Sequence, residues 1–471
     1  MENILTKLGE CAARINDAVW GIPLILFIIG VGVLYTFGLK GIQFRKLWHG
    51  CKLLFCSAQN ERGEKVSTFG ALSTALAAMI GTGNIVGVAT AVVSGGPGAI
   101  FWMLMASLAG MAVSYAEGLL AVKFKYRDRD GNALGGAFMY IERGMGRKFI
   151  PLAKLFAFFC AAAAILGIGT FTQVNAISET MMDLLDTHGK YKLILAGTEI
   201  HIVRLICAAV VTLLAGCTVF GGISRISSVS EKIVPIMGGM YILATLTVLF
   251  TCAEQVPNAI KSVMVNAFTG RAAFGGACGT AVAKAIRMGV ARGVFSNEAG
   301  LGSASIAAAA APVKQPARQG FVSMVGTFID TTLMCTLTGL AIVASGAINS
   351  GIDSISLTNR AYSIGFPFAP WFGRGIVSAA LALFAFASII GWNYYGEQCT
   401  EYLAGKRAVP VYRIVYLAAV FTGCFVEMKT VWDIADILNG CMALPNLIAL
   451  LILYPVVKRE TEKYLKTNSK I

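Results

Sequence analysis

The chain is divided into apolar runs of about 20 residues or more, separated by short polar loops. A run of that length spans the roughly 30 Å hydrocarbon core of a bilayer as a helix. Inside lipid every backbone N–H and C=O must be satisfied within the protein, so only helices and closed barrels can cross. A barrel would alternate apolar and polar residues over about ten positions, and these runs do not alternate. Apolar residues make up 56% of the chain and charged residues only 14%, against about 25% charged in a soluble domain. The expected class is therefore an all-α polytopic membrane protein.

The runs number about eleven, near residues 19–39, 68–93, 98–121, 150–176, 202–219, 230–250, 278–311, 320–346, 374–396, 411–427 and 432–456. The net charge of +14 could suggest nucleic acid, but its distribution argues against that partner. Lys and Arg gather in the 40–66 and 122–154 loops and in the tail after Tyr454. Roughly 26 of the 39 basic residues fall on one face, which the positive-inside rule assigns to the cytoplasm. That places the N-terminus outside and the C-terminus inside. The N-terminal stretch is amphipathic and lacks the basic-then-apolar order of a signal peptide. The loop FRKLWHGCKLLFC has helical apolar spacing and reads as an interfacial segment, with His49 an interfacial residue rather than a ligand. The cysteines are scattered and form no CxxC pair, so they read as small buried hydrophobes.

Two runs are interrupted. The second contains Gly81-Thr82-Gly83-Asn84, and the seventh contains Ser296-Asn297-Glu298 among Gly293, Gly300 and Gly302. Glycine costs a helix interior about 1 kcal/mol relative to alanine. Loosened backbone at membrane depth is tolerated only where it is buried in protein or lines a cavity. Gly81, Gly83 and Gly87 nearly spell a dinucleotide fingerprint, but Val86 stands where the third glycine belongs and no strand precedes it. Close helix packing explains glycines alone, but not the polar residues between them. The breaks lie five runs apart, and broken helices in corresponding positions of two halves point to a transporter's binding site.

Several motifs together resemble the alanine-or-glycine:cation symporters. They are GTGNIVGVATA, the stretch from Gly95 to Gly110, FSNEAGLGSA, and Gly391-Trp392-Asn393-Tyr394-Tyr395-Gly396-Glu397. The resemblance covers nearly the whole chain. It implies a leucine-transporter-like fold, five spans repeated inverted, with one added N-terminal helix. The corresponding segments are 1–67 (added helix and interfacial loop), 68–250 (first repeat), 251–277 (extracellular connection), 278–456 (second repeat) and 457–471 (cytoplasmic tail). Two positions depart from the family pattern. Leu104 replaces a tryptophan, and Ala387-Ser388 replaces two adjacent hydroxyls at the ion site.

The implied function is secondary active transport, with alanine or glycine and sodium carried together through the plasma (inner) membrane. A half-helix N-terminus offers free N–H groups and about half a positive charge to a carboxylate. The amides of Thr82, Gly83 and Asn84 are the candidates, with Gly81 beside them in the substrate site, and carbonyls near Phe295 and Ser296 would accept from the ammonium. Gln173 is either a substrate contact or an interhelical hydrogen bond. Phe295 and Trp392 either close the pocket or pack the core. Sodium calls for oxygen ligands. The resemblance assigns it the carbonyls of Ala77 and Ile80 and the hydroxyl of Ser388, which also borders the substrate. No organic cofactor is expected. Glu298 can anchor the unwound backbone through its N–H groups, bias the site toward cations, or carry a proton; the first is preferred. Glu117 and Glu397 are expected to pair with basic loops such as Lys123 or Lys406, and Lys284, Arg287 and Arg292 to face water or snorkel. The alternative within the carrier class is proton coupling, or another small neutral amino acid as substrate. A channel would rest on filter loops or oligomeric symmetry instead. An intramembrane enzyme lacks a His/Asp/Cys cluster at depth. The oligomeric state stays open.

Overall fold

The computed structural model describes residues 2–55, 68–127, 133–186, 189–195, 198–269, 278–352, 354–426 and 428–467. It is nearly all helical. Two short antiparallel hairpins, Tyr126–Arg127 with Ala133–Leu134 and Lys192–Leu195 with Thr198–His201, are the β elements among the described residues. Seven helices there are long and apolar enough to cross a membrane. The number is eight if Gly9–Val19 and Ile22–Gly38, bent by 41°, form one span. The count falls below about eleven partly because broken spans divide into pieces. The second run is two helices, Thr68–Met79 and Val86–Gly95, each too short alone.

Small residues let the central helices approach. The Gly98–Phe124 helix packs against Pro316–Thr327 and Cys278–Asn297. A Cβ at Gly320 would lie 2.7 Å from the Tyr115 carbonyl, and one at Gly289 would lie 2.4 Å from the carbonyl of Ala99. Without a hydrophobic drive between helices in lipid, such close contact is what holds them.

Two irregularities were not anticipated. The run read as 150–176 continues from Arg147 to Leu185 and pauses between Leu166 and Phe171. There the Thr170 hydroxyl donates to the Ile165 carbonyl, and Tyr416 donates to the Gly169 carbonyl at 3.0 Å. Further on, Phe328–Cys335 is a π-helix. Such widened turns often mark functional sites, and this one carries Asp330 into the core, fully buried.

Candidate functional site

The first break is built by Gly81 and Asn84. After Met79 the chain extends at Gly81, turns once through Thr82–Asn84, and resumes as a helix at Val86. The Asn84 side chain accepts from the Gly81 amide at 3.1 Å and so closes the turn on itself. A Cβ on Gly81 would lie 2.4 Å from Ser388 Oγ, and one on Gly83 would lie 3.0 Å from Ser296 Cα. These glycines therefore bring three segments to one point. Two of the proposed carboxylate donors are engaged in this arrangement. The Thr82 amide donates to Gln173 Oε1 at 3.2 Å, and the Asn84 amide donates to the Gly81 carbonyl at 3.3 Å. Gln173 also donates to the Ile168 carbonyl at 2.8 Å, so it bridges the first break and the pause in the neighbouring helix.

The second break falls later than the sequence reading placed it. Helix Cys278–Asn297 runs through Phe295 and Ser296, so their backbone is not unwound. The loosened stretch is Glu298–Ser303, before the helix resumes at Ala304. Its left-handed residues are Glu298 at φ +56°, Gly300 at +90° and Gly302 at +83°. Gly300 and Gly302 adopt that region at no steric cost, so the break runs from the last residue of the polar triplet, Glu298, through the two glycines.

Glu298 does not hold the N–H groups of this loop. Its carboxylate accepts from the Trp392 indole at 2.9 Å and from the Ser303 hydroxyl at 2.6 Å. Glu117 does what was assigned to Glu298: one carboxylate oxygen accepts from the amides of Gly300 and Gly302, at 3.1 Å each, and from Asn446 Nδ2 at 2.6 Å. Glu117 is thus a buried anchor and not a partner of Lys123, which pairs with Glu460 at 2.7 Å. Glu397 pairs with Arg413, not Lys406, through bonds of 2.7 and 2.9 Å. Trp392 is fully buried with its N–H committed to Glu298, and its ring packs against Tyr395 at 5.3 Å. Losing the carboxylate of Glu298 would leave that indole and Ser303 without their acceptor. We expect Glu298→Ala to cost about 3 kcal/mol and Glu298→Gln roughly 1, read as a difference in thermal unfolding of the detergent-purified protein.

The oxygen cluster expected around Ser388 is present. Its hydroxyl lies 3.1 Å from the Ala77 carbonyl, 3.1 Å from that of Ala78 and 3.5 Å from that of Ile80. One hydroxyl has a single proton, so three carbonyls converge on more than it can satisfy. The set is all oxygen, as a hard cation requires. The Ala78 carbonyl is an addition to the expected set.

A third cluster was missed. Asp330 accepts from Asn84 Nδ2 at 2.8 Å, from Ser296 Oγ at 2.8 Å and from Thr331 Oγ1 at 2.6 Å. It links the turn of the first break to the helix just before the second. The signal was available: Asp330 is an acid inside the apolar run TFIDTTLMC, and an acid at membrane depth is functional by default.

On the helix that leads into the second break, Arg292 is buried and bonded to Asp436. Its guanidinium lies over Trp432 at 4.8 Å and over Phe295 at 5.4 Å, and the two rings sit 4.7 Å apart. Arg292 therefore neither snorkels nor faces water. Arg287 bonds Asp17 at 2.6 Å, and Lys284 lines an open cavity of about 760 Å³. Phe295 belongs to this cation–aromatic layer. His49 contacts the Tyr464 hydroxyl at 3.0 Å.

The sodium:alanine symporter family model matches residues 5–471. The chain belongs to the sodium:alanine symporter family. It is 41% identical to the sodium/alanine symporter AgcS of Methanococcus maripaludis, over 96% of each chain. It is 48% identical to an uncharacterized transporter of Haemophilus influenzae, over 96% of this chain and 95% of that one. Among solved structures, MhsT in complex with L-phenylalanine aligns with a TM-score of 0.58 at 15% identity, covering 83% of this chain and 90% of MhsT. That likeness concerns the fold, which is leucine-transporter-like. The chain is a multi-pass membrane transporter and not an enzyme.

Proposed function

We propose that this chain carries alanine or glycine into the cell with sodium, by alternating access. The observation that carries the reading is the Ser388 hydroxyl amid the carbonyls of Ala77, Ala78 and Ile80, on the half-helix that leads into the first break. A cation there would replace the hydroxyl proton as the partner of those carbonyls. It would thereby tie the Pro370–Ala404 helix to the Thr68–Met79 half-helix, so ion occupancy biases how the two pack. The substrate carboxylate takes the amides of Thr82, Gly83 and Asn84 once Gln173 releases Thr82. Residues 68–250 and 278–456 form the two inverted halves of an eleven-span protein, with the N-terminus outside. The Arg292–Asp436 layer then lies on the outer side of the site and Glu117 on the cytoplasmic side. The name of AgcS supports alanine as the substrate. A methyl group is worth about 1 kcal/mol in a pocket, so glycine competes within about tenfold.

The test is uptake of labelled alanine into proteoliposomes under a sodium or a proton gradient of equal size. We expect sodium to drive accumulation, and Ser388→Ala to raise the sodium concentration for half-activation about tenfold, the equivalent of roughly 1.4 kcal/mol. Accumulation driven by protons alone and indifferent to Ser388→Ala would overturn the reading. One observation favours that second reading: Asp330 is a buried carboxylate joined to both broken spans, a place where a proton could substitute for a cation.

A further inference from the structure

The face of the Thr68–Met79 half-helix away from Ser388 borders a second polar space. Leu72, Ala75 and Met79 line it on that helix, and Ser114, Glu117, Gln319 and Ser323 supply its main polar groups, with the Ser305 side chain beside them. Its volume is about 20 Å³, room for one water-sized guest. Gly118 keeps it open, since a Cβ there would lie 2.3 Å from Ser323 Oγ and 3.1 Å from the Gln319 carbonyl.

Two acceptor atoms of this lining have no partner. Glu117 places one oxygen on the Gly300 and Gly302 amides, while its other oxygen, Oε2, is buried and unbonded. The side-chain oxygen of Gln319 is likewise buried and unbonded. Both residues are 2% exposed. Buried acceptors without donors are costly, and a carboxylate oxygen and an amide oxygen on residues that line one small space ask for something positive there. The Ser305 hydroxyl donates to the Gly302 carbonyl, and the Ser114 hydroxyl accepts from Thr327 at 2.7 Å, which leaves oxygen lone pairs on the same wall. Every polar atom named is oxygen, the donor set of a hard monovalent cation. A water can donate to both acceptors but leaves the carboxylate charge uncompensated, whereas a cation balances it.

We propose that this cavity is a second sodium site, on the cytoplasmic side of the breaks, held by Glu117 Oε2 and Gln319 Oε1. It rests on the proposed orientation and on sodium as the coupling ion. Its occupant also bears on the second break, because the carboxylate that holds the cation is the one that holds the Gly300 and Gly302 amides. Sodium entering from the cytoplasm would therefore stabilise the closed loop and oppose inward release.

Binding of radioactive sodium to the purified full chain in detergent, counted per protein, reads the site without transport. Gln319→Leu removes one unpaired oxygen and leaves the Glu117 bonds to the loop in place, so it is the deciding variant; Glu117→Gln is the companion. The expected result is about one sodium fewer per chain at saturation in Gln319→Leu. In proteoliposomes, the internal sodium concentration that half-inhibits alanine uptake should rise at least about fivefold, while external half-activation stays within about twofold. An unchanged sodium count together with unchanged internal inhibition means the cavity holds water only and overturns the proposal. A shift confined to Glu117→Gln overturns it too, because that pattern reports the loop bonds alone. If the wild type binds no sodium, the coupling-ion reading fails and this site fails with it. If wild type and Gln319→Leu both bind sodium equally, this site alone fails.

Discussion

Asp330→Asn is expected to lower sodium-driven alanine uptake about a hundredfold per folded protein. The carboxylate receives three donors, from Asn84, Ser296 and Thr331. Hydrogen bonds to a charged group contribute about 1.5–3 kcal/mol each. An asparagine has one acceptor oxygen and brings an NH₂ group. Its oxygen can keep the bond from Asn84, which goes to Asp330 Oδ1, while its NH₂ stands where Oδ2 accepts from both hydroxyls, so Ser296 and Thr331 must reverse. Asp330→Asn therefore gives up the charge assistance of all three bonds and turns two hydroxyls around, one of them on Ser296 beside the first break. A net loss near 3 kcal/mol corresponds to about a hundredfold. The measurement is initial uptake normalised to the monodisperse fraction in size-exclusion chromatography, with Asp330→Glu as the charge-retaining control. Uptake within about threefold of wild type in Asp330→Asn would remove Asp330 from the working site.

Breaking the Arg292–Asp436 pair from one side should be more damaging than removing both partners. Both side chains are buried, at 7% and 4% exposure. Truncating one leaves the other as an uncompensated buried charge, which costs about 3–5 kcal/mol, whereas replacing both with apolar groups is often close to neutral. Arg292→Met loses in addition the stacking of the guanidinium on Trp432 and Phe295, worth about 1–2 kcal/mol when desolvated. Thermal unfolding in detergent should therefore rank Arg292→Met as the least stable, Asp436→Leu next, and the double replacement above both. Additive losses in the double variant would mean that the two charges do not compensate one another.

The legible part of the site was local. Gly81-Thr82-Gly83-Asn84 announced a break because glycine and short polar residues disfavour helix, and the structure breaks there. In the seventh run the same reasoning found the interruption but placed it two residues early, since it followed polarity through Ser296 and Asn297. A helix interior can carry both, and this helix stops where positive φ begins, at Glu298. The pause before Gln173 was foreshadowed by Gly167 and Gly169, which went unread beside the stronger polar signal. Asp330 was visible as an acid in an apolar run. Glu298 instead drew attention because it lay within a motif.

What the sequence determined by itself was the class and the interruption of the second and seventh apolar runs. Those follow from composition and periodicity along one dimension, because lipid imposes a length on each apolar run and glycine acts on its own backbone. What the tertiary structure alone decided was the pairing of the buried acids. Glu117 holds a loop 183 residues away in sequence, and Asn84 meets Asp330 across 246. A carboxylate's short-range hydrogen bonds go to whichever donor packing brings within about 3 Å. Which donor that is depends on how small residues let distant helices close on one another, and no local pattern in the chain encodes it.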